Sequence, residues 1–203
     1  ALVLRDNLGY QDVKTYGALG DNTQDDLTIL QSVVVYLASR GGGRIYVPDG
    51  NYKITDNFLT GFNQGGWAIE ASNITVEFES KAAVIMVNPT TSRRGISVTA
   101  DVTVSNPPTV IENVNILGGR INGQNSLAGA VTNEDSHGIA ARRCKNVTIK
   151  DMSIFGSRGD GIFIGYGAAD CIISDNYIDS DRSNSISGTS QGIAVLSVDG
   201  LKI

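Results

Sequence analysis

The feature that most constrains the fold is a short pattern that recurs through the second half of the chain. The segments ENVNILGGRING, KNVTIKDMSIFG and DCIISDNYID each contain an apolar residue, a second one two positions on, and an isoleucine five positions after that. The three copies are Val114, Ile116 and Ile121, then Val147, Ile149 and Ile154, then Cys171, Ile173 and Ile178. Each copy predicts two short strands separated by a polar bend, and the smallest repeating unit is about 24 residues long.

Other segments extend this repeat. A fourth copy opens at Leu201 and Ile203, and a looser copy opens at Ile74 and Val76. HGIAA, DGIFI and QGIAV share a Gly-Ile step that predicts a third strand in each unit. A unit of three short strands and no helix buries its apolar face only by stacking on its neighbours, so the pattern predicts an all-β chain folded as a parallel β-helix. An antiparallel sandwich needs hairpin turns between adjacent strands and does not explain the self-similarity.

One helix is predicted, in the segment NTQDDLTILQSVVVYLASRGGG, over about residues 23–39. Thr23 and Asp26 have the spacing of a capping box at its start, and the glycines at 41–43 end it. Its apolar stripe consists of Ile29, Val33 and Leu37. Because a solenoid has an open end with apolar surface, we expect this helix to cap that end.

The helix divides the chain into two predicted parts. Residues 1–60 form an N-terminal cap, which includes the helix and the strand, turn and strand of RIYVPDGNYKI. Residues 61–203 form the rungs, each rung being one turn of the solenoid. The last residues, DGLKI, are typical of the start of another strand, so we expect the rungs to be truncated at the C-terminus.

The composition excludes several classes of partner. The formal net charge of the chain is -5, so we expect neither a nucleic acid nor a membrane as partner, because anionic surfaces are bound by clustered cations. No apolar run is long enough to cross a membrane. Cys144 and Cys171 lack a metal-binding spacing and are expected to be unpaired thiols. No tight acidic cluster predicts a calcium site, and we expect no metal and no other cofactor.

Residues 12–54 resemble the opening of the pectate-lyase-superfamily β-helix domain. The resemblance is carried by YGALGD, by the DD before the helix, and by GGGRIYVPDGNY. It implies a right-handed, single-stranded parallel β-helix with an N-terminal capping α-helix. Proteins that share this opening include bacteriophage tailspike depolymerases, mannuronan epimerases and secreted glucanases, so the resemblance also implies a polysaccharide substrate. By analogy with tailspikes, it implies a homotrimer that is located in a virion tail or secreted.

The Gly-Ile step places three polar residues at the same point of successive rungs. These residues are His137, which is the only histidine of the chain, Asp160 and Gln191. Neighbouring parallel strands lie about 4.8 Å apart, so we expect His137 and Asp160 to be first neighbours. The three side chains are predicted to form a polar ladder on the outside of the solenoid.

Long loops before His137 and before Gln191 predict two walls of a groove, with the short loop before Asp160 as its floor. The first wall carries Glu134 and Asp135, the second carries Asp179, Asp181 and Arg182, and Arg158 lies on the floor beside Asp160. Cleavage of a glycosidic bond needs an acid for the leaving oxygen and a base or nucleophile across the bond. The predicted catalytic residues are Asp160, Asp135 and Glu134. The predicted substrate-binding residues are His137, Arg158, Gln191, Asp181, Arg182 and Arg142.

A second resemblance concerns the Asp160 rung. RGDGIFIG is similar to the NTDGI element of polygalacturonases, whose Asp is catalytic and matches Asp160. The next rung has Gln191 where that family has a paired Asp. The active-site stretch Asp-Pro-His-Glu of mannuronan epimerases falls on residues 140–143, which read AARR, so epimerisation by that machinery is not expected.

The predicted function is a glycoside hydrolase of the tailspike type that cleaves a bacterial surface polysaccharide. Two alternatives stay open. One is a lyase acting on a uronate-containing glycan, in which His137 and nearby arginines serve as base and as groups that neutralise the carboxylate. These arginines are Arg142, Arg143 and Arg158. The other alternative is a non-catalytic β-helix that binds a glycan or is purely structural.

Overall fold

The strands of this chain lie parallel in three sheets, and the chain winds from one sheet to the next as a right-handed β-helix. The computed structural model describes residues 9–55, 66–88, 94–99, 110–124, 136–179 and 192–203. Each complete rung contributes one strand to each sheet. The predicted fold class is therefore confirmed.

The three sheets are named A, B and C. Sheet A consists, in spatial order, of β1 (Gln11–Asp12), β3 (Gly43–Val47), β6 (Ile74–Phe78), β9 (Ile111–Leu117), β12 (Cys144–Lys150) and β15 (Ile172–Ser174). Sheet B consists of β2 (Asp21–Asp25), β4 (Gly50–Ile54), β7 (Ala83–Val87), β10 (Arg120–Asn122), β13 (Ser153–Phe155) and β16 (Tyr177–Asp179). Sheet C consists of β5 (Trp67–Ile69), β8 (Ile96–Thr99), β11 (Ile139–Arg142), β14 (Ile162–Gly165) and β17 (Ile193–Leu196). Among the described residues, the helical segments are a 3₁₀ turn (Val13–Tyr16) and α1 (Leu27–Ala38).

The strand register confirms the predicted repeat. Val114 pairs with Val147, and Ile116 pairs with Ile149. The other pairs of repeat residues are Ile121 with Ile154, Ile154 with Ile178, Ile149 with Ile173, and Val76 with Ile116. A bridge between Ile172 and Lys202 places the fourth copy one rung after β15. Because equivalent residues stack from rung to rung, their inward side chains form one continuous core.

A Gly-Ile step marks the start of four of the five strands of sheet C, and Gly66-Trp67 takes its place at β5. Ile139 pairs with Ile162, which in turn pairs with Ile193. The glycine is needed because the rungs approach closely there: a Cβ on Gly138 would lie 2.7 Å from the carbonyl oxygen of Gly161. The steps at β5 and at β8, in GGWAI and RGISV, were not predicted.

The helix begins later than predicted. It starts at Leu27 and not at Thr23, because Asp21–Asp25 form β2 and pair with β4. The predicted capping box is wrong as well, since the Asp26 side chain makes no cap hydrogen bond. Its carboxylate instead accepts a hydrogen bond from the backbone N–H of Leu19 at 2.8 Å. Asp26 therefore stabilises the chain that precedes β2 and leaves the start of the helix uncapped by its side chain.

Helix α1 caps the open end of the solenoid, as predicted. Val33 and Leu37 are buried in the core, whereas Ile29 is only partly buried. Gln31 covers the edge of sheet C: its Nε2 donates to the carbonyl oxygen of Ala68 at 3.0 Å, and its Oε1 accepts from the N–H of Ala68 at 3.2 Å. Because Ala68 lies in β5, the terminal strand of sheet C, the Gln31 amide takes the place of a further strand.

Three smaller expectations concern the domain boundary, membranes and the cysteines. Strands before and after residue 60 pair directly, since β3 pairs with β6 and β4 pairs with β7. The division of the chain at residue 60 into an N-terminal cap and rungs stays a prediction. In the part of the chain that the structure describes, no helix is long and apolar enough to cross a membrane. Cys144 and Cys171 are buried free thiols, as expected.

Candidate functional site

Sheet C differs from the other two sheets because the outward side chains of its middle strands, β8, β11 and β14, are also buried, whereas its last strand, β17, is partly or fully exposed. In β6 of sheet A, buried positions alternate with partly exposed ones, as expected for a strand with one face in solvent. In sheet C the outward residues Ser97, Thr99, Ala140 and Phe163 are each less than a tenth exposed. Polar groups on this face therefore interact in a medium of low dielectric constant, where each contact is stronger than in water.

His137 and Asp160 meet on this face, at the start of β11 and β14. The backbone N–H of Gly138 donates to the carbonyl oxygen of Asp160 at 3.0 Å, which sets the two residues on adjacent rungs. The Nδ1 atom of His137 lies 3.3 Å from a carboxylate oxygen of Asp160. The prediction that they are first neighbours is confirmed. Gln191, the third member of the expected ladder, lies outside the described residues.

Both nitrogens of the imidazole have a polar neighbour. Its Nδ1 accepts a hydrogen bond from the backbone N–H of Asp160 at 3.1 Å, and the same atom lies 3.3 Å from the Asp160 carboxylate. Its Nε2 lies 3.5 Å from an Nη atom of Arg142. These contacts fix the ring between the backbone of Asp160 and the guanidinium group of Arg142.

His137 lies on the outward face of sheet C, as expected, but it is not open to solvent. The residue is 5% exposed, because its ring stacks on Phe163 with centroids 4.7 Å apart and planes inclined by 14°. Burial lowers the pKa of His137, and the positive charges of Arg94 and Arg142 lower that pKa further, while Asp160 opposes them. The imidazole is therefore neutral at neutral pH.

Arg142 lies against two aromatic rings at the edge of this face. Its guanidinium carbon is 4.7 Å from the centroid of Phe163 and 5.0 Å from the centroid of Tyr166, and the two rings are themselves 5.7 Å apart. Arg142 is 7% exposed, whereas Tyr166 is 53% exposed and covers the group from the solvent side. A guanidinium held against rings keeps its orientation and its charge, which suits it to stabilise negative charge beside it.

Three residues of this site were missed by sequence reasoning: Arg94, Phe163 and Tyr166. Arg94 precedes the Gly-Ile step of β8, and since Ile96 pairs with Ile139, Arg94 occupies the position of His137 one rung earlier. The segment RGISV carried this signal. No periodic signal marks Phe163 or Tyr166, because outward positions of the strands do not repeat.

The structure brings together His137, Asp160 and Arg142 of the nine predicted site residues. Arg158 is partly buried in the corner just before Asp160. The predicted residues that fall outside the described part of the chain are Glu134, Asp135, Asp181, Arg182 and Gln191. Among the residues that the structure describes, no group of three His, Cys, Asp or Glu side chains is placed to hold a metal ion.

This arrangement can move a proton and stabilise a negative charge. The Asp160 carboxyl is an acid or base whose orientation is held by the buried imidazole. Arg142 can bind a sugar hydroxyl or stabilise an anionic group that develops beside it. Tyr166 offers an exposed ring against which the apolar face of a sugar can pack.

Comparison with known proteins identifies relatives at two levels. The model of the family described as rhamnogalacturonase A/epimerase, pectate lyase-like, matches residues 10–198. Mannuronan C5-epimerase AlgE6 of Azotobacter vinelandii is 39% identical over 44 residues, which make up 22% of this chain and 5% of the epimerase. The curated sequence relative is therefore matched over a short segment of its length.

Solved structures resemble nearly the whole chain. ORF18 of Geobacillus virus E2 has a TM-score of 0.58 at 17% identity, over 98% of this chain and 43% of that one. The tailspike protein of E. coli bacteriophage HK620, solved with a pentasaccharide, has a TM-score of 0.59 at 14% identity, over 86% of this chain and 37% of that one. At these identities the likeness shows the fold, and the chain spans less than half of either protein.

Proposed function

Because the chain belongs to the rhamnogalacturonase A/epimerase, pectate lyase-like family, we propose that it is the β-helix of a polysaccharide depolymerase that hydrolyses glycosidic bonds. The observation that carries the proposal is the contact between the Asp160 carboxylate and the buried, neutral His137, beside the half-exposed Tyr166. Bacterial capsular or exopolysaccharide is the proposed substrate class. The likeness to a tailspike that binds a pentasaccharide supports this choice.

Asp160 is the proposed first catalytic carboxyl group. Hydrolysis needs two such groups, about 5–5.5 Å apart in retaining enzymes and about 6.5–9.5 Å apart in inverting ones. Glu134 and Asp135 are the proposed sources of the second group, since they lie three and two residues before His137 in the chain. The contact with the buried imidazole of His137, at 3.3 Å, holds the Asp160 carboxylate in place.

Substrate binding is assigned to the groups around this pair. Arg142 and Tyr166 lie on the outward side of the imidazole and supply a cation and an aromatic ring. Arg158 lies in the corner before Asp160. Gln191, Asp181 and Arg182 stay predicted substrate contacts.

A β-eliminating lyase is the second candidate, favoured by one specific feature. Arg94 and Arg142 both lower the pKa of the buried imidazole, so two cations lie close to a neutral nitrogen base. β-Elimination from a uronate needs a base for the proton next to the carboxylate and a cation to stabilise the resulting negative charge. The choice between the two reactions depends on whether the product contains a new double bond.

The assembly and location proposed for the protein follow from the same likeness. We propose a homotrimer located in a virion tail or secreted from the cell, since the solved relatives include a bacteriophage tailspike and a viral protein. Light scattering of the purified chain measures the mass of the assembly. A monomer at the concentration used for activity would contradict the trimer.

The test of function measures reducing-end release and ultraviolet absorbance in parallel. The substrates are polygalacturonate, alginate, iota-carrageenan and purified bacterial capsular polysaccharides, and the proteins are the wild type, Asp160→Asn and Asp175→Asn. Asp175 is a matched control because its exposed carboxylate pairs with Lys150 at 3.6 Å and is not part of the site formed by His137, Asp160 and Arg142. We expect the wild type and Asp175→Asn to cleave one of these polymers and Asp160→Asn to lose that activity.

Absorbance that rises with the reducing ends identifies a lyase, and reducing ends without absorbance identify a hydrolase. Cleavage that survives in Asp160→Asn contradicts the catalytic assignment. Binding without any cleavage by the wild type identifies a non-catalytic glycan-binding module.

A further inference from the structure

The outer face of sheet B carries a second group of aromatic and cationic side chains. Arg120 lies in β10, Phe155 in β13 and Tyr177 in β16, on three successive rungs. The guanidinium carbon of Arg120 is 5.2 Å from the centroid of Phe155, and the rings of Phe155 and Tyr177 are 5.5 Å apart. Tyr177 is 59% exposed. These three residues are called the aromatic strip.

Two of the three residues lie in one column across the sheet. Arg120 pairs with Ser153, and Ser153 pairs with Tyr177, so the backbones of Arg120 and Tyr177 are two strand spacings apart, about 10 Å. The ring of Phe155 joins them, because it contacts the Arg120 guanidinium on one side and the Tyr177 ring on the other. The aromatic strip is therefore a continuous row of one cation and two rings, and Tyr177 is its most exposed ring.

The strip is not a general property of the outer face of sheet B. Earlier rungs carry Val84 in the column of Arg120 and Met86 in the column of Phe155. The aromatic rings are therefore concentrated on the last described rungs of this sheet. Single exposed apolar residues are common on protein surfaces, but Tyr and Arg held in contact are the residue types that dominate binding surfaces.

The aromatic strip adjoins the candidate site on sheet C. Strand β13 ends at Phe155, and Asp160 follows five residues later. Five residues span at most about 17 Å, so one polymer chain can contact both places. Asp179 pairs with Phe155 and is the last residue of β16. It therefore lies at the end of the aromatic strip that is nearer to sheet C.

We propose that the aromatic strip is a distal binding subsite for the polysaccharide that is cleaved at sheet C, an inference that rests on the proposed function. A pyranose ring packs its apolar C–H face on the exposed ring of Tyr177. Arg120 donates to the hydroxyl or carboxylate oxygens of that sugar, and its buried Nε has no hydrogen-bond partner among the described residues. Asp179 accepts from a hydroxyl group.

The experiment measures polymer binding in the Asp160→Asn background, in which cleavage does not consume the ligand. The method is affinity electrophoresis in gels that contain polygalacturonate, alginate, iota-carrageenan or a capsular polysaccharide. We expect Tyr177→Ala to raise the dissociation constant for the bound polymer about tenfold. Tyr177→Trp keeps a ring at this position and is expected to retain binding. Circular dichroism checks that both variants are folded.

Tyr46→Ala is the matched control. Tyr46 lies on sheet A and contacts another ring, Tyr10, at 4.9 Å, so its loss removes a similar aromatic contact far from the strip. Unchanged binding by Tyr177→Ala, or an equal loss in Tyr46→Ala, overturns the distal subsite and leaves the proposed function standing. If Asp160→Asn and the wild type bind none of the polymers, the proposed function is wrong, and the subsite with it.

Discussion

Two columns of polar residues run along this solenoid, and they differ in chemistry and in burial. At the start of the sheet A strands, Asn73, Asn113 and Asn146 form an exposed ladder: Asn113 donates to Asn73 at 2.9 Å, and Asn146 donates to Asn113 at 3.2 Å. At the start of the sheet C strands, Arg94 and His137 are buried beside the partly exposed Asp160. The first column repeats one residue type, and the second repeats none.

The difference separates a structural role from a functional one. All three asparagines have positive φ, between 54° and 61°, a conformation that asparagine tolerates better than most residues. Each asparagine therefore adopts the positive φ of its turn and also hydrogen-bonds to the asparagine of a neighbouring rung. Because each turn has the same two requirements, the same residue type recurs. The sheet C column places a cation, a neutral base and an acid at equivalent backbone positions, where the backbone requires no particular side chain. Such variety in a buried setting points to chemistry.

The largest expected effect tests the functional column. Arg142→Gln removes the guanidinium that contacts Phe163, Tyr166 and His137, and we expect kcat/KM to fall about 100-fold or more. Arg142→Lys is expected not to restore the activity, because an ammonium group does not stack on aromatic rings as a guanidinium does. Initial rates on the polymer cleaved by the wild type are the measurement. Lys150→Gln is the control, and an equal loss there would contradict the role of Arg142.

A smaller effect tests the structural column. Asn113→Ala removes two ladder hydrogen bonds and places alanine at positive φ, so we expect the free energy of unfolding to fall by about 1–2 kcal/mol. Urea denaturation measures this change. Asn115→Ala, which removes one bond to Thr75 from an extended strand, is expected to cost less. Activity per folded molecule stays unchanged in both variants if the ladder is purely structural.

The smallest effect concerns the pH dependence of stability. Burial lowers the pKa of His137 in the folded chain, so below its unfolded pKa of about 6.5 the unfolded chain binds more protons than the folded one. The free energy of unfolding therefore falls as the pH is lowered below about 6.5, by at most about 1.4 kcal/mol per pH unit. Urea denaturation of the wild type and of His137→Gln from about pH 7 to about pH 5 measures it. Since the chain has one histidine, equal slopes in the two proteins would show that His137 is not the cause.

The strands and their register were predictable because the repeat is visible in the inward residues. Ile149, for example, has the same position in its copy of the repeat as Ile116 has in the preceding copy, and the two residues pair as expected. The start of the helix was not predictable from local spacing. Asp26 has the position of a capping residue, but its carboxylate is used by the backbone of Leu19, a contact that arises only when β2 joins sheet B.

The candidate site was predictable in position but not in environment. The Gly-Ile step placed His137 beside Asp160, and their contact at 3.3 Å agrees with that placement. The same step occurs after Arg94 and was overlooked, so the column contains a cation that the sequence had already indicated. The burial of His137 depends on Phe163, an outward residue of the next rung that follows no pattern.

The sequence by itself determined the rung: which residues point inward, which glycine allows close stacking, and which polar residues share a column. These features are visible in the sequence because every rung has to bury its apolar face against its neighbours, so the same residue types recur at the same positions. Only the tertiary structure decided that His137 is buried and neutral, that Arg142 lies against the rings of Phe163 and Tyr166, and that the ring of Phe155 joins Arg120 to Tyr177. Those properties arise from contacts between different side chains on neighbouring rungs, and no period in the sequence records them.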